Sequence, residues 1–488
     1  MTSQSLSSAR VSRRKLVATT TAGTVLGVLA TSQGTMAHGT RFAERALARS
    51  QDTVATPEGW RMWLLASPDA LRPADPRAPT QAEIDEVVAA QATPSDETVA
   101  AIARWGTGLA LLPWSSLAEE LTDEFGIGGM PQSRFMAIYH TALHDAVIAA
   151  WDAQVAHARS GPGATSDQIV SAAGVDPEQP SFPSGHAAVA GAAATVLAYL
   201  LPDAAVGRFD ALAAEAAESR IAAGAAFRSD VDAGLALGQA VGEMAVTRAM
   251  ADGADAVWDP ATRPTGPGFW EPTPPDFVET PAAPLAGSRK TWVMTSGDQV
   301  RPPPPPEYGS PAWEAELRMV QEIAANLSFE QERAALWWGN TSPPGLLNGW
   351  TRDLIGKSGV DEPHAAQILA DIHVAMADAL IAVWDAKYTW WTARPITDDP
   401  ELATVLSPPP YPAYPSGYSG AIGAGSTVIG HYFPEMADEM ANRAWEAAAS
   451  RGWGGIHYVI DDDIALTMGR QVGRLVCALP GANAVDDA

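Results

Sequence analysis

The stretch PSGYSGAIGAGSTVI at residues 415–429 has an earlier counterpart in the same chain, PSGHAAVAGAAATVL at 183–197, offset by 415 − 183 = 232 residues. Both stretches start with Pro-Ser-Gly and continue with small and apolar residues, a pattern typical of a tightly packed buried helix. At one position of the turn the first copy has His186 and the second has Tyr418. The pair therefore predicts two similar helices that begin at similar turns but differ in chemistry.

Two further pairs of segments repeat in the same order. HDAVIAAWDAQ at 144–154 matches ADALIAVWDAK at 377–387, with an offset of 378 − 145 = 233. EAAESRIAAGAAFRSD at 215–230 matches EAAASRGWGGIHYVID at 446–461, with an offset of 450 − 219 = 231. Three matches at nearly constant spacing predict a tandem duplication of a unit that is about half of the chain.

Both units are predicted to be helical. Small and apolar residues recur at steps of three and four along 365–387, as on one face of a helix, and alanine-rich segments recur along the chain. We therefore expect an all-α protein of two tandem helical bundles related by internal duplication. A Pro-rich connector at 256–312, which ends in VRPPPPPEYGSP, is expected to join them in an extended conformation and to pack over a bundle.

The N-terminus resembles a targeting segment. Arg13 and Arg14 precede a weakly apolar run, as in a twin-arginine export signal; the alternative is a disordered basic tail. The run is too short for a convincing membrane span, so we expect export to the periplasm, cell envelope or exterior, with no integral span in the mature chain. The predicted organisation in chain order is a signal segment at 1–37, a wrapping segment at 38–110, a degenerate first bundle at 111–255, the connector at 256–312 and a second bundle with the active site at 313–488.

Charge and cysteine content exclude some classes of function. The formal net charge of −26 at pH 7 argues against a nucleic-acid partner, because phosphate backbones bind basic faces. Cys477 is the only cysteine, so the sequence supports neither a disulfide framework nor a cysteine-ligated metal cluster.

The second unit collects residues that can bind an anion. Lys387, Arg394 and Arg451 are three cations near predicted helix ends, and Ser416 and Gly417 stand at a predicted helix start. Arginine offers planar paired donors, lysine a compact charge and a helix N-terminus its free amides. Each residue alone is most simply a surface charge or a helix cap. Together they predict an oxyanion site, because three cations in a dry bundle without an anion cost several kcal/mol per charge.

His457 is the candidate nucleophile or metal ligand of this site. Asp461 follows four residues later and is placed to accept a hydrogen bond from the other ring nitrogen. Such a bond fixes the tautomer and raises the basicity of the imidazole.

Three segments of this unit resemble a known superfamily. KYTWWTARP at 387–395, YPSGY at 414–418 and SRGWGGIHYVID at 450–461 are similar to the three motifs of the vanadium-dependent haloperoxidases and type 2 phosphatidic acid phosphatases, and the likeness is nearest to exported, duplicated bacterial members. It implies an all-helical bundle in which the third-motif histidine bonds vanadium or becomes phosphorylated. The implied roles are His457 as metal ligand or nucleophile, Asp461 as its orienting partner, Lys387, Arg394, Ser416, Gly417 and Arg451 as ligands of the oxyanion, and vanadate as the cofactor, with phosphate able to occupy the same site.

Tyr418 departs from the family pattern, which has a histidine in proton transfer at this position. A phenol has a pKa of about 10, so it donates a proton but is a poor base. The resemblance therefore implies that Tyr418 donates to a bound peroxide or a leaving oxygen in slowed or redirected catalysis. The alternative is that it only fills the pocket.

The first unit keeps part of the pattern. It retains Ser184, Gly185, His186, Ser219, Arg220 and Asp230, but has Gln154, Gly161 and Ala226 opposite Lys387, Arg394 and His457. We therefore expect no second active site and interpret His186 as a satisfied helix-end histidine. His140 and His144 have the spacing of metal ligands on a helix, but a packed or hydrogen-bonded pair is the preferred interpretation; His431 is expected to interact with a helix dipole.

Three functions follow as hypotheses. The favoured one is a vanadate-dependent (halo)peroxidase that uses hydrogen peroxide to oxidise a halide or a small organic substrate. The alternatives are a soluble acid phosphatase that cleaves a phosphate ester through a phosphohistidine at His457, and a non-catalytic oxyanion binder.

Overall fold

Helices account for nearly all regular structure in the residues that the computed structural model describes, which are 57, 59–106 and 108–481. No β-strand occurs among these residues, so the predicted all-α fold is confirmed. The predicted signal segment at 1–37 lies outside the described residues. The predicted domain boundaries stay predictions.

The helices of the first half are, in chain order, α1 Gln81–Ala92, α2 Asp96–Gly106, α3 Leu111–Glu124, α4 Gly129–His157, α5 Pro162–Thr165, α6 Gly185–Leu200, α7 Arg208–Ala222 and α8 Arg228–Met250. Those of the second half are α9 Pro311–Ala325, α10 Phe329–Gly339, α11 Pro343–Ser358, α12 Glu362–Trp390, α13 Pro395–Asp398, α14 Gly417–Tyr432, α15 Ala437–Trp453 and α16 Val459–Cys477. From α4 to α8 and from α12 to α16 the order is the same: a long helix, a single turn, a helix after Pro-Ser-Gly, and two more helices.

The matching helices start and stop for the same local reasons. Ser184 and Ser416 cap α6 and α14 with their hydroxyl groups, as serine commonly does at a helix start. Ala158 and Trp391 end α4 and α12 in the left-handed conformation. These parallels are consistent with the duplication inferred from the sequence, which remains a prediction.

Glycine brings pairs of helices into backbone contact. A Cβ atom at Gly469 of α16 would lie 2.1 Å from the carbonyl oxygen of Gly420 on α14, and one at Gly238 of α8 would lie 1.9 Å from that of Ala188 on α6. Only glycine allows so close an approach. The contact fixes the separation of α14 and α16, which carry two of the three motifs at their N-terminal ends.

A bent loop segment lies against the long helix of each half. Asp145 on α4 accepts hydrogen bonds from the backbone amides of Trp63, Leu64 and Leu65. Asp378 on α12 accepts in the same way from the amides of residues 292–294. This parallel was not predicted, although the similar segments WLLASPD at 63–69 and WVMTSGD at 292–298 indicate it.

The long helices α4 and α12 pack against each other at the centre of the protein. The rings of His140 and His373 stack with centroids 4.2 Å apart, and Ser115 Oγ donates to Asn348 Oδ1 at 3.0 Å. The members of each pair are separated by 233 residues (373 − 140 and 348 − 115). This spacing equals the offset between HDAVIAAWDAQ and ADALIAVWDAK, so both contacts join equivalent positions of the two predicted units.

Helix α12 forms the centre of the second half. Among the described residues it alone is long and apolar enough to cross a membrane, but its whole apolar window is buried inside the protein. The connector packs over its C-terminal end, where Trp384 Nε1 and the Tyr388 hydroxyl both donate to the Ala282 carbonyl.

Candidate active site

The three predicted cations are all buried at the N-terminal side of α14 and α16. Lys387 and Arg394 are fully buried and Arg451 is 5% exposed. Lys387 Nζ donates to the carbonyls of Pro412 and Ala413 at 2.7 and 2.8 Å, which ties the end of α12 to the loop before α14. Burial and the nearby Arg394 hold the pKa of Lys387 well below its usual value.

Arg394 is held in the centre of the site. It stands at the N-cap of the short helix α13, just before Pro395. Its Nε donates to the Tyr411 carbonyl at 3.0 Å and its Nη1 to the Ile456 carbonyl at 2.6 Å. The remaining nitrogen, Nη2, is buried and has no hydrogen-bond partner among the described residues. A guanidinium group that is fixed on one side therefore offers a free donor on the other.

Arg451 is positioned by a serine and an aromatic ring. Its Nε and Nη2 lie 3.0 and 2.8 Å from Ser450 Oγ. Its guanidinium carbon lies 4.3 Å from the centroid of the Tyr418 ring, within the range of a cation–π interaction.

His457 meets these cations as a neutral imidazole. Its Nδ1 lies 3.0 Å from Asp461 Oδ2, and Arg394 Nη1 lies 3.1 Å from its Nε2. Burial, followed by the charges of Arg394, Lys387 and Arg451, lowers the pKa of His457 well below its usual value. With the proton on Nδ1, where Asp461 accepts it, Nε2 keeps a lone pair that can attack phosphorus or bond a metal.

Asp461 links the second and third motifs. Its carboxylate also caps α16 by accepting from the amide of Tyr458 at 3.1 Å, and its backbone carbonyl accepts from the amide of Ser416 at 2.9 Å. Burial raises the pKa of Asp461 to about 7, although Lys387 and Arg394 oppose the shift. The same residue therefore orients His457 and holds the start of α14 beside it.

Ser416 and Gly417 form the start of α14. Ser416 is fully buried, and its hydroxyl oxygen accepts from the amide of Ser419 at 3.5 Å. A Cβ atom at Gly417 would lie 2.9 Å from the Trp384 ring, so glycine is required here by the packing of the indole.

The hydroxyl of Tyr418 makes a hydrogen bond to Thr341. It lies 2.7 Å from Thr341 Oγ1, and Thr341 Oγ1 donates its own proton to the Trp338 carbonyl at 3.0 Å. Since a threonine hydroxyl has one proton, Tyr418 is the donor in the first bond. Burial raises the pKa of Tyr418 to about 12. The ring supports Arg451 while the phenolic proton is engaged by Thr341.

Two residues near the site were missed by sequence reasoning. Asp462 is 4% exposed and Ser419 is fully buried, and they lie 2.8 Å apart at Oδ1 and Oγ. The only signal in the sequence is the acidic run 461–463, of which Asp463 is exposed. A helix period alone does not say which of three consecutive acids faces inward.

The residues of the first half adopt the same frame without the same chemistry. Ala226 stands where the second half has His457, and Gly161 caps α5 where Arg394 caps α13. The interpretation of His186 as a satisfied histidine is wrong, because its Nε2 has no hydrogen-bond partner among the described residues. Burial and the charge of Arg220 lower the pKa of His186 to about 3.

His140 and His144 have structural contacts, as predicted, whereas the interaction of His431 with the helix dipole stays a prediction. His140 lies 3.0 Å from Ser115 Oγ and 2.9 Å from the Met136 carbonyl, and His144 Nδ1 lies 2.8 Å from Asp145 Oδ1. His431 stands in the last turn of α14.

Comparisons with known proteins agree with this geometry. Residues 147–251 match the family model of the PAP2 superfamily; the match falls on the half that retains His186. A bacterial vanadium-dependent iodoperoxidase structure is 22% identical, has a TM-score of 0.57 and is matched over 78% of this chain and 95% of its own. The holo-type bacterial vanadium-dependent chloroperoxidase is 16% identical and has a TM-score of 0.53; the match covers 72% of this chain and 92% of its own. The apo-type structure is 17% identical and has a TM-score of 0.52; the match covers 70% of this chain and 92% of its own.

No curated protein matches the sequence. The family model that matches residues 147–251 is that of the superfamily which the three motifs resemble, and the structural neighbours share the fold of this chain. The fold is the all-α fold of the vanadium-dependent haloperoxidases.

The donors present fit a tetrahedral oxyanion. The unpartnered Arg394 Nη2 and the lone pair on His457 Nε2 belong to neighbouring groups, and Lys387 and Arg451 are close enough to perturb the pKa of the same imidazole. An anion in this position would neutralise positive charge that three buried basic side chains bring together.

Proposed function

We propose that the protein is a vanadate-dependent peroxidase that oxidises a halide or a small organic substrate with hydrogen peroxide. The observation that carries the proposal is the buried, neutral His457 facing three buried cations, one of which has a free donor. Vanadate bound at His457 would supply the centre at which hydrogen peroxide is activated. The resemblance to vanadium-dependent haloperoxidase structures supports vanadate over other oxyanions.

The residues of this chain would then divide the work. Nε2 of His457 would bond the anion, and Asp461 would hold the ring in the tautomer that leaves Nε2 free. Arg394, Arg451 and Lys387 would withdraw negative charge from the anion, a preorganised electrostatic effect that is large in a site shielded from water. Ser416 would donate a hydrogen bond from the start of α14.

The same donors would also hold phosphate, so a phosphatase is the second candidate. Its chemistry needs attack by His457 on phosphorus and a proton for the leaving oxygen. The hydroxyl of Tyr418, engaged with Thr341, is poorly placed to supply that proton. The likeness to vanadium-dependent haloperoxidase structures, rather than this contact, favours the peroxidase as the first proposal.

A paired assay on the purified protein separates the candidates. One arm measures halide and sulfide oxidation with orthovanadate and hydrogen peroxide; the other measures hydrolysis of a phosphate monoester without vanadate. Oxidation that depends on vanadate supports the proposal, and activity in the second arm alone reverses the order of the two candidates. Silence in both arms, with orthovanadate still bound in calorimetry, indicates an oxyanion binder.

A further inference from the structure

A chain of three side chains leads from the anion site into the protein. Ser416 Oγ lies 3.0 Å from Ser419 Oγ, and Ser419 Oγ lies 2.8 Å from Asp462 Oδ1. All three residues are buried. The proposed function assigns no role to Ser419 or Asp462.

The protonation state of Asp462 decides which group donates and which accepts in each of these hydrogen bonds. Each serine hydroxyl has one proton to donate. If Asp462 is protonated, it donates to Ser419, Ser419 donates to Ser416, and the proton of Ser416 is directed at the anion. If Asp462 is ionised, Ser419 donates to the carboxylate, and its contact with Ser416 either lacks a proton or takes the one that the anion needs.

The surroundings of Asp462 favour the protonated form. Burial and the neighbouring Asp461 raise its pKa well above the usual value, against the opposing effect of Arg451. Its Oδ2 has no hydrogen-bond partner among the described residues. The charged or titratable groups that interact with it are Asp461, Lys387, Arg394 and Arg451. A neutral carboxyl group next to an oxyanion avoids the repulsion that a carboxylate would suffer.

The two halves differ at the same positions. The first half has Ala187 where the second has Ser419, and Val231 where the second has Asp462 (offsets 419 − 187 = 232 and 462 − 231 = 231). The chain of hydroxyl and carboxyl groups therefore occurs only in the half that has His457, and it is present where the family histidine is replaced by Tyr418.

We propose that Asp462, through Ser419 and Ser416, delivers the proton that the reaction at the anion consumes. The proposal rests on the proposed function. The carboxyl proton passes to Ser419 Oγ, the proton of Ser419 passes to Ser416 Oγ, and the proton of Ser416 passes to an oxygen of the anion or to the leaving oxygen. Asp462 is left as a carboxylate and regains a proton from solvent, with no change in oxidation state. Because it acts through two hydroxyl groups, Asp462 is a positioning residue.

The test uses four variants of the full chain: Asp462→Asn, Ser419→Ala, Ser419→Thr and, as a control, Asp463→Asn at the exposed neighbour. Two quantities are measured against pH, the affinity for orthovanadate by titration calorimetry and the turnover in whichever assay the wild type supports. Asp462→Asn and Ser419→Ala should each lower turnover by about 10²-fold, the lower range for loss of acid–base catalysis, and should flatten the pH profile. Ser419→Thr, which keeps a hydroxyl group, should restore most of the activity.

The binding measurement separates the two proposals. Wild-type affinity for orthovanadate should fall more steeply with rising pH than that of Asp462→Asn, because the wild type ionises both Asp461 and Asp462 next to the anion, whereas the variant ionises Asp461 alone. If the wild type and Asp462→Asn show the same pH dependence of binding and the same turnover, Asp462 does not deliver the proton, even though the enzyme is active. If the wild type is inactive in both assays, the proposed function fails while the binding comparison still decides the role of Asp462. Should Asp462→Asn not fold, Ser419→Ala carries the same comparison.

Discussion

The two halves of this chain build the same pocket frame and equip it differently. In both, the serine before the arginine accepts from arginine Nε, at 3.0 Å for Arg451 and 3.1 Å for Arg220. In both, an aspartate caps the following helix, Asp461 at the amide of Tyr458 and Asp230 at that of Phe227. The frame therefore does not depend on binding an anion.

The first half uses its remaining polar groups for structure. Gln154 Nε2 donates to the Pro183 carbonyl at 2.8 Å, in the position where Lys387 donates to the loop before α14. Arg159 Nη1 lies 2.9 Å from Asp230 Oδ1, so the carboxylate that should orient a histidine holds an arginine instead. The comparison teaches that caps and small residues determine the frame, while a few substitutions decide whether it can carry out chemistry.

The largest expected effect comes from removing the imidazole that the first half lacks. His457→Ala makes the second half resemble the first at this position, and we expect turnover to fall by about 10³-fold or more in either assay, as for loss of a covalent group. His186→Ala is the control and should leave turnover within about twofold. Comparable losses in both variants would mean that the two halves share the reaction.

A smaller loss is expected when Lys387 is replaced by the residue of the first half. Lys387→Gln can keep a hydrogen bond to the loop, as Gln154 does, but it removes one charge. A charge-assisted bond contributes about 1.5–3 kcal/mol, so the affinity for orthovanadate or phosphate should fall by about 10- to 100-fold at unchanged melting temperature. Lys357→Gln, at an exposed lysine of α11, is the matched control; unchanged affinity in Lys387→Gln would remove Lys387 from the site.

The stacking of His140 on His373, which joins α4 and α12, should be destabilised at low pH. Burial lowers the pKa of His140 to about 3 and that of His373 well below its usual value; the charge of Arg352 also acts on His140. The folded pKa values therefore lie below the unfolded value of about 6.5. The stability that the two neutral, buried imidazoles contribute to the folded protein is fully present above that pH and is lost as pH falls from there towards 3. The free energy of unfolding should drop by up to about 1.4 kcal/mol per pH unit for each histidine.

Denaturant unfolding at several pH values measures this slope. A variant with His140→Gln and His373→Gln should flatten it, whereas His364→Gln, at the partly exposed start of α12, should not. An unchanged slope in the double variant would assign the acid sensitivity to other groups.

The smallest effect on turnover is expected at Tyr418, where the first half has His186. Tyr418→Phe keeps the ring under Arg451 and loses only the bond to Thr341, so turnover should change by less than about threefold. Tyr418→His restores the residue of the first half and should raise turnover, because an imidazole can both accept and donate a proton, whereas a phenol is a poor base. A large loss in Tyr418→Phe would return the phenol to a direct role in proton transfer.

The fold was predictable from the sequence because its causes are local and repeated. The Pro-Ser-Gly turns, the stripe along 365–387 and the three spaced matches each predict a helix or its start, and the motifs bring in His457, Asp461 and the three cations. The contacts of Tyr418 and Asp462 were not predictable in this way. Thr341, which engages Tyr418, lies 77 residues away along the chain, and which member of the acidic run 461–463 faces the pocket depends on how α16 packs on α14.

The backbone contact between Gly420 and Gly469 limits how far α14 and α16 can move apart. Because α14 and α16 touch without side chains between them, their N-terminal ends cannot separate without breaking the packing of the whole helix pair. The helix packing therefore holds these ends in place by itself, and little conformational entropy would be lost if an anion bound there. A single methyl group added at Gly469 would lie 2.1 Å from the Gly420 carbonyl oxygen and push α14 and α16 apart, so Gly469→Ala should weaken anion binding without removing any proposed ligand of the anion.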